Sequence, residues 1–298
     1  MKIDEVKTVV VVGAGAMGQQ IAMNTVLNGR DYNYRVYLCD NFPAAIEKAK
    51  VWAKKYLIGR VEKGRITQEV ADKLTANLII TNDVDSAIKK ADYVIEAIIE
   101  KIEAKRELFE YISKLTKPDT ILATNSSNIV SSKLAGVTTH NERLLNMHYF
   151  NPALVMKLVE IVRGPQTNDE AIAVAKEFAI RTGKSPIILN KEIAGFVANR
   201  INAAVTHEAC SLLEKGIASV EDIDTACEKG LNYPMGPFRL MDLTGIDVNY
   251  YVRKDRFAES HDPYDAPSPC VIEKFKKGEF GRKTGKGWYD YATTKESK

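Results

Sequence analysis

The sequence predicts an α/β doubly wound sheet followed by a smaller all-α domain. Three observations carry that prediction. Short apolar runs alternate with helical patterns over about the first 190 residues; a glycine-rich turn follows the first run; and strand signals stop near Lys191. The boundary so drawn gives one domain over residues 1–190 and a second over 191–298. A chain of 298 residues has the length for two domains.

The elements follow in order. Thr8–Val12 opens the sheet, and Arg35–Cys39, Tyr93–Ala97, Thr120–Ala123, Leu144–His148 and Leu158–Val162 continue it. Pro186–Leu189 reads as one more short strand. The helical patterns between the earlier runs supply the crossovers that parallel strands require. Beyond Lys191 the spacing predicts one long helix over Gly195–Gly216, with Phe196, Val197, Ile201, Val205, Ala209, Leu212 and Leu213 forming its apolar stripe. Ser219 and Asp222 resemble a capping box for the next helix. Tyr233-Pro234 and Gly236-Pro237 are turn signals before further helical pattern.

Composition narrows the function classes. Hydrophobic residues make up 45% and charged residues 27%, an ordinary balance for a soluble domain protein. A net charge of +3 is too small to imply nucleic-acid binding. No run of apolar residues is long enough to predict a membrane helix. The N-terminal MKIDEVKT lacks the layout of a signal peptide, so a cytoplasmic location is expected. Cys39, Cys210, Cys227 and Cys270 are too widely spaced for a metal pattern or a disulfide framework, and reduced thiols with no metal site are expected.

The run Thr8–Val12 leads into Gly13-Ala14-Gly15-Ala16-Met17-Gly18 and then into a helical pattern. This is GxGxxG in a strand–turn–helix setting, the fingerprint of a Rossmann-type dinucleotide site. Gly13 permits the tight turn, Gly15 the approach of a pyrophosphate, and Gly18 close helix–strand packing. The second strand ends in Asp40, whose carboxylate can accept from the ribose hydroxyls of NAD and would repel the 2′-phosphate of NADP. The interval from the glycines to Asp40 exceeds the usual roughly 20 residues, which predicts a longer loop over Asn28–Tyr34. Asp40, Glu100, Asn125-Ser126-Ser127 and His148 all lie at or just past strand ends, where a doubly wound sheet lines its ligand crevice.

Oxidising a secondary alcohol requires a group that takes the hydroxyl proton as hydride leaves carbon, and histidine suits the task. Of His140, His148, His207 and His261, only His148 lies at a strand end beside Asn151-Pro152. The segment Met147-His148-Tyr149-Phe150-Asn151-Pro152, followed by Met156-Lys157-Leu158-Val159-Glu160-Ile161-Val162, closely resembles the 3-hydroxyacyl-CoA dehydrogenase family. Further matches are Val94–Glu100, Ala123–Ser127, Gly195–Arg200, Gly236-Pro237-Phe238 and Gly281–Tyr289, in the family's order over nearly the whole chain.

That resemblance implies roles residue by residue. His148 matches the catalytic base and Glu160, twelve residues on, its orienting carboxylate. Ser127 matches a serine that bonds the substrate oxygen, and Asn199 a catalytic asparagine. Glu100, Lys105, Ser127, Asn151 and Lys283 match positions that contact NAD; for Lys105 and Lys283 a solvated surface lysine is the competing reading. The family also implies homodimers formed through the helical domain. Ser126 stands where many relatives have Thr, Asn128 where they have a second Ser, and Tyr56 where some have a CoA-contacting serine. Lys63 fits a CoA-contacting lysine by ungapped counting.

Charge points to the same partner. Between Ala44 and Arg65 lie Lys48, Lys50, Lys54, Lys55, Arg60, Lys63 and Arg65 against two glutamates, a local +5. Such a patch, with Lys54 and Lys63 in it, would attract the phosphates of CoA; a solvated helix face fits it equally. The expected function is interconversion of (S)-3-hydroxyacyl-CoA, of short chain such as 3-hydroxybutyryl-CoA, and 3-ketoacyl-CoA with NAD(H), within fatty acid or butyrate metabolism. The alternatives are a CoA-independent sugar-acid or hydroxy-acid dehydrogenase and a non-catalytic NAD-binding protein.

Overall fold

Strand β1 (Thr8–Val12) is five residues of alternating destination, and it sets the layers of the first unit. Val9 and Val11 enter one apolar core and Val10 and Val12 the other, because successive side chains of a strand point to opposite faces. The computed structural model describes residues 1–292. Its eight strands are β1, β2 (Arg35–Cys39), β3 (Leu78–Thr81), β4 (Tyr93–Glu96), β5 (Ile121–Thr124), β6 (Leu144–Tyr149), β7 (Leu158–Arg163) and β8 (Ser185–Leu189). They form one sheet in the order β3-β2-β1-β4-β5-β6-β7-β8. All neighbours pair parallel except β6 and β7, which are antiparallel.

Helices Ala16–Asn28, Pro43–Glu62, Gln68–Asn77 and Asp169–Arg181 cover one face, and helix Ile102–Leu115 with the short helix Val84–Ile88 covers the other. The chain runs outward from β1 to β2 and β3, then returns to β4 on the far side of β1. That reversal opens a crevice at the carboxyl ends of β1 and β4, the ligand position of doubly wound sheets.

Strand β3 is absent from the sequence reading. It is four residues long, half-buried throughout, and follows helix Gln68–Asn77 with no intervening loop, so no turn signal sets it apart. The Asn28–Tyr34 insertion is more ordered than a plain loop. After Gly29 the chain makes a 3₁₀ turn at Arg30–Tyr32, and Tyr34 is buried against Phe178.

The chain divides into two compact units, the first ending at Val197 and the second starting at Ala198. The division falls past residue 190 because Phe196 is fully buried with Val162 and Leu189 of the first unit. The helix expected from Gly195 begins at Ala198, since Gly195 (φ 78°) and Phe196 (φ 50°) are left-handed and cannot be helical turns.

The second unit is helical: Ala198–Glu214, Val220–Thr225, Pro237–Thr244, Ile246–Ser260 and Pro269–Lys276. Ser219 does cap its helix, accepting from the Asp222 amide at 3.1 Å. The unit is tied together by a buried carboxylate. Asp242, 1% exposed, accepts from the amides of Trp288 and Tyr289 at 2.9 and 3.0 Å and from the Tyr291 hydroxyl at 3.0 Å. A Cβ at Gly287 would lie 2.0 Å from that carboxylate, which explains the glycine. Asp242→Ala would strand these donors, so we expect a loss of roughly 2–5 kcal/mol in unfolding free energy, read from the denaturant midpoint. An unchanged midpoint would show that water replaces the carboxylate without cost.

Candidate active site

The glycine turn is built from steric necessity at two positions and left open at a third. A Cβ at Gly13, whose φ is +108°, would sit 2.5 Å from the Ala97 carbonyl oxygen, and one at Gly18 would sit 1.8 Å from that of Gly13. A Cβ at Gly15 would meet nothing within 4 Å. Packing therefore does not require Gly15 to be glycine, and the open face above it is the space a pyrophosphate needs. Helix Ala16–Asn28 starts there with no side-chain cap, so its first N–H groups and positive dipole end remain for phosphate oxygens. Ala14, Ala16 and Met17 fill out the turn and the first helical residues.

Asp40 follows β2 and is half-buried. One carboxylate oxygen accepts from the Ala14 amide at 2.8 Å and the other from the Phe42 amide at 2.9 Å. The acid expected to read the ribose is thereby fixed to the glycine turn. Among the described residues these features fit NAD at the ends of β1 and β2.

The ends of β4 and β5 hold a polar network that the strand patterns conceal. Glu100 reaches the Ser126 hydroxyl, which also accepts from the Ile129 amide at 2.7 Å. Lys105 is 1% exposed; its Nζ lies 2.5 Å from Glu96 Oε1 and 3.3 Å from Glu100 Oε2. The surface-lysine reading of Lys105 is thus corrected. Asn146 in β6 straps the serine turn, accepting from the Ser131 amide at 2.8 Å and donating to the carbonyls of Ser126 and Ile129. Ser127, half-exposed, stands beside this anchored hydroxyl.

His148 and Glu160 are directly opposed in the antiparallel β6–β7 ladder. Opposed residues share a face, so the twelve-residue spacing becomes a contact: Nδ1 of His148 lies 2.9 Å from Oε2 of Glu160. Glu160 is fully buried and His148 is 7% exposed. The rings of Phe150 and Phe196 lie 4.5 and 5.5 Å from the imidazole. Nε2 is the ring nitrogen that Glu160 does not engage. The second oxygen of Glu160 accepts from the Val197 amide at 3.0 Å. The loop between the two strands carries Asn151, which is exposed. Lys184 holds that loop, donating to the carbonyls of Ala153 and Met156, and burial pushes its pKa down to about 8.

The first unit therefore gathers the glycine turn, Asp40, Glu100, Ser127 and His148 at or just past carboxyl ends of strands, with Glu160 in the first half of the antiparallel β7 and Asn151 on the loop after β6. Asn199 lies in the first turn of helix Ala198–Glu214 and Lys283 in a 3₁₀ turn, both in the second unit; Lys283 is paired with Asp247 at 2.6 Å. Lys63 lines a cleft of about 480 Å³ with Trp52, Lys55, Tyr56, Gly59, Arg60 and Arg65. Lys54 is exposed on the same helix and does not line it; Lys55 does. Glu96, Thr124 and Asn146 escaped the sequence reading, although a polar residue inside each buried apolar strand was a usable signal.

Comparison with known proteins decides the family. Residues 8–193 match the 3-hydroxyacyl-CoA dehydrogenase NAD binding domain and residues 195–291 the C-terminal domain of the same family. The chain belongs to the 3-hydroxyacyl-CoA dehydrogenase family. It is an NAD-dependent oxidoreductase of that family. It is 35% identical to the human mitochondrial hydroxyacyl-coenzyme A dehydrogenase, over 96% of this chain and 91% of that protein. It is also 35% identical to a probable 3-hydroxybutyryl-CoA dehydrogenase of Bacillus subtilis, over 96% and 98%. The crystal structure of a (S)-3-hydroxybutyryl-CoA dehydrogenase from Ralstonia eutropha superposes with a TM-score of 0.89 at 35% identity, covering 96% of this chain and 99% of that one.

Two outcomes test the cofactor geometry. Gly15→Val should raise the Kd for NADH at least tenfold while leaving the melting temperature nearly unchanged, whereas Gly18→Val should fail in stability first. Asp40→Ala should narrow the preference for NADH over NADPH in kcat/KM; equal wild-type values for the two cofactors would remove Asp40 from this role.

Proposed function

We propose that this member of the family interconverts (S)-3-hydroxyacyl-CoA and 3-ketoacyl-CoA, with short-chain substrates such as 3-hydroxybutyryl-CoA, and that His148 and Glu160 work as its acid–base pair. The observation that carries the reading is the buried 2.9 Å contact between His148 and Glu160. The names of the relatives support the substrate class.

Bound NAD would supply the hydride acceptor at carbon. The protein's own residues handle the proton. In oxidation Nε2 of His148 takes the hydroxyl proton, and the ring becomes an imidazolium. Glu160 stabilises that charge through Nδ1 and holds the ring so that Nε2 faces outward. In reduction the same imidazolium returns a proton to the alkoxide. Ser127 and Asn199 are assigned to steadying the substrate oxygen, and Glu100, Asn151, Lys105 and Lys283 to the cofactor side.

The cleft beside Lys63 would take the nucleotide end of CoA. Trp52 and Tyr56 stack at 5.5 Å between centroids with 19° between planes, and Lys55, Arg60, Lys63 and Arg65 surround them. Flat rings beside four cations suit an adenine bearing phosphates. We also assign a homodimer formed through the second unit, whose Ile201, Val248 and Tyr251 are 58%, 48% and 52% exposed, apolar surface of the kind a second copy covers. A cytoplasmic setting fits these assignments; among the described residues no helix is long and apolar enough to cross a membrane.

The deciding experiment is a steady-state assay of acetoacetyl-CoA with NADH, alongside free 3-keto acids. Turnover of the thioester is expected; turnover of free acids alone would favour a hydroxy-acid substrate, and no turnover of either would count against both substrate classes. His148→Ala should lower kcat by about 10²–10⁴-fold. Glu160→Gln should act in the same direction, and the double variant should be little worse than His148→Ala, because the pair acts as a unit. Strictly additive losses would leave Glu160 as a strand carboxylate. Lys63→Ala should raise the KM for acetoacetyl-CoA with kcat spared, and added salt should shrink the difference.

A further inference from the structure

We propose that Glu96 is a positioning residue of the cofactor site: it fixes Lys105, and through Lys105 and Thr124 sets the orientation of Glu100 and of the Ser126–Ser127 turn. The proposal goes beyond the acid–base assignment and rests on the reading of Glu100 as a cofactor contact.

Glu96 is the last residue of β4, at the reversal of strand order, and is fully buried. An isolated carboxylate there would be costly, and every direction around it is answered. Oε1 accepts from Lys105 Nζ at 2.5 Å and from the Ile98 amide at 2.7 Å. Oε2 accepts from the Thr124 hydroxyl at 2.6 Å. Each partner leads to a different part of the cofactor region.

The Ile98 amide bends the chain just past Ala97. The Ala97 carbonyl is the wall that a Cβ at Gly13 would strike, so this bend shapes one side of the glycine turn. Lys105 carries the contact onward to Glu100, whose side chain is 43% exposed. Thr124 receives the Ser126 amide at 3.2 Å on the oxygen whose proton goes to Glu96. The Ser126 hydroxyl then closes the circuit by donating to Glu100. One buried carboxylate thus orders the ends of β4 and β5 and the start of helix Ile102–Leu115.

Fold stability alone gives little reason for this arrangement. A well-packed apolar pair commonly replaces a buried ion pair at no loss of stability. What an apolar pair cannot do is hold an exposed carboxylate such as Glu100 in one orientation.

The test compares wild type, Glu100→Gln, Glu96→Gln and the doubly neutral Glu96→Gln/Lys105→Met, reading NADH Kd by fluorescence titration, both KM values, kcat and melting temperature. Glu96→Gln should weaken NADH roughly tenfold, the worth of a charge-assisted contact. NADH affinity should fall by more than kcat at saturating NADH, which should fall only as far as the Ser126–Ser127 turn loses its support. Glu96→Gln/Glu100→Gln should bind NADH no worse than the weaker single variant. Where Glu96→Gln folds poorly, Glu96→Gln/Lys105→Met removes both buried charges; it should recover the melting temperature yet keep the weakened NADH binding. Wild-type NADH affinity in that stable double variant would overturn the proposal, as would wild-type affinity in Glu100→Gln. A wild-type enzyme that binds NADH but leaves acetoacetyl-CoA unreduced would instead count against the substrate reading, and the NADH titrations would still decide the role of Glu96.

Discussion

The one antiparallel step in the sheet, between β6 and β7, is the constraint on which the proposed acid–base chemistry depends. In a parallel pair, residues twelve apart in sequence cannot face each other, because the crossover alone needs about that many residues. Reversing direction after Tyr149 lets an eight-residue connection bring Glu160 back opposite His148. The register then does the work that loops do in other sites. It places both side chains on one face, within one hydrogen bond, on strands whose backbone cannot drift. A register slip of one residue would turn Glu160 to the opposite face and leave a buried charge unpaired. Fold stability and alignment of the pair are therefore the same requirement.

A second set of constraints lies on the parallel side. The glycine turn after β1 is held by the Gly13 amide on the Cys39 carbonyl at 2.7 Å and by Asp40 on the Ala14 amide. The end of β4 holds Glu96, and β5 ends in Thr124 and then the serine turn. Asp40 just after β2, Glu96 at the end of β4 and Thr124 at the end of β5 are each engaged with a neighbouring strand or turn. The exposed members, Glu100 and Ser127, are thereby carried on groups that cannot reorient without breaking buried hydrogen bonds, the preorganisation that binding sites need.

Much of this could be read from residue pattern. β1, β2, β4, β5, β6 and β7 are apolar runs of four to six residues, bounded by turns, and their signal survives without tertiary context. β3 does not stand out, because an edge strand that continues a helix has no boundary and no full burial. The first long helix of the second unit was visible by its stripe, but its start was not. Phe196 sits on that stripe and yet takes a left-handed conformation, a choice made by the pocket around it beside His148. In the site, His148 and Glu160 were legible because a spacing matched a family pattern. Glu96 was hidden by the same strand pattern that revealed β4: one acid inside an apolar run reads as noise until the burial of Lys105 supplies its partner. Lys54 and Lys55 were inseparable as charges, and only the helix phase decides which one faces the cleft.

The separation between the two candidate substrate regions argues for a long ligand. The cleft with Trp52, Tyr56 and Lys63 belongs to the helix that follows β2, whereas His148 lies in β6. From β2 to β6 the sheet order passes through β1, β4 and β5, four inter-strand steps. At roughly 4.8 Å per step this is on the order of 19 Å across the sheet. A free hydroxy acid is far too short to bridge that distance, so its binding would draw nothing from the cleft. A thioester of CoA carries its phosphates at one end and its acyl carbons at the other, separated by an extended pantetheine arm of comparable reach. On this geometry the cations would hold the handle while the dyad meets the reacting carbon. Binding energy from the handle is then available to position the acyl end, which is how remote contacts contribute to rate. Under that assignment Tyr56, standing where the family resemblance leads to a small hydroxyl residue, would make the handle site more apolar and shift recognition from a hydrogen bond toward stacking on a base.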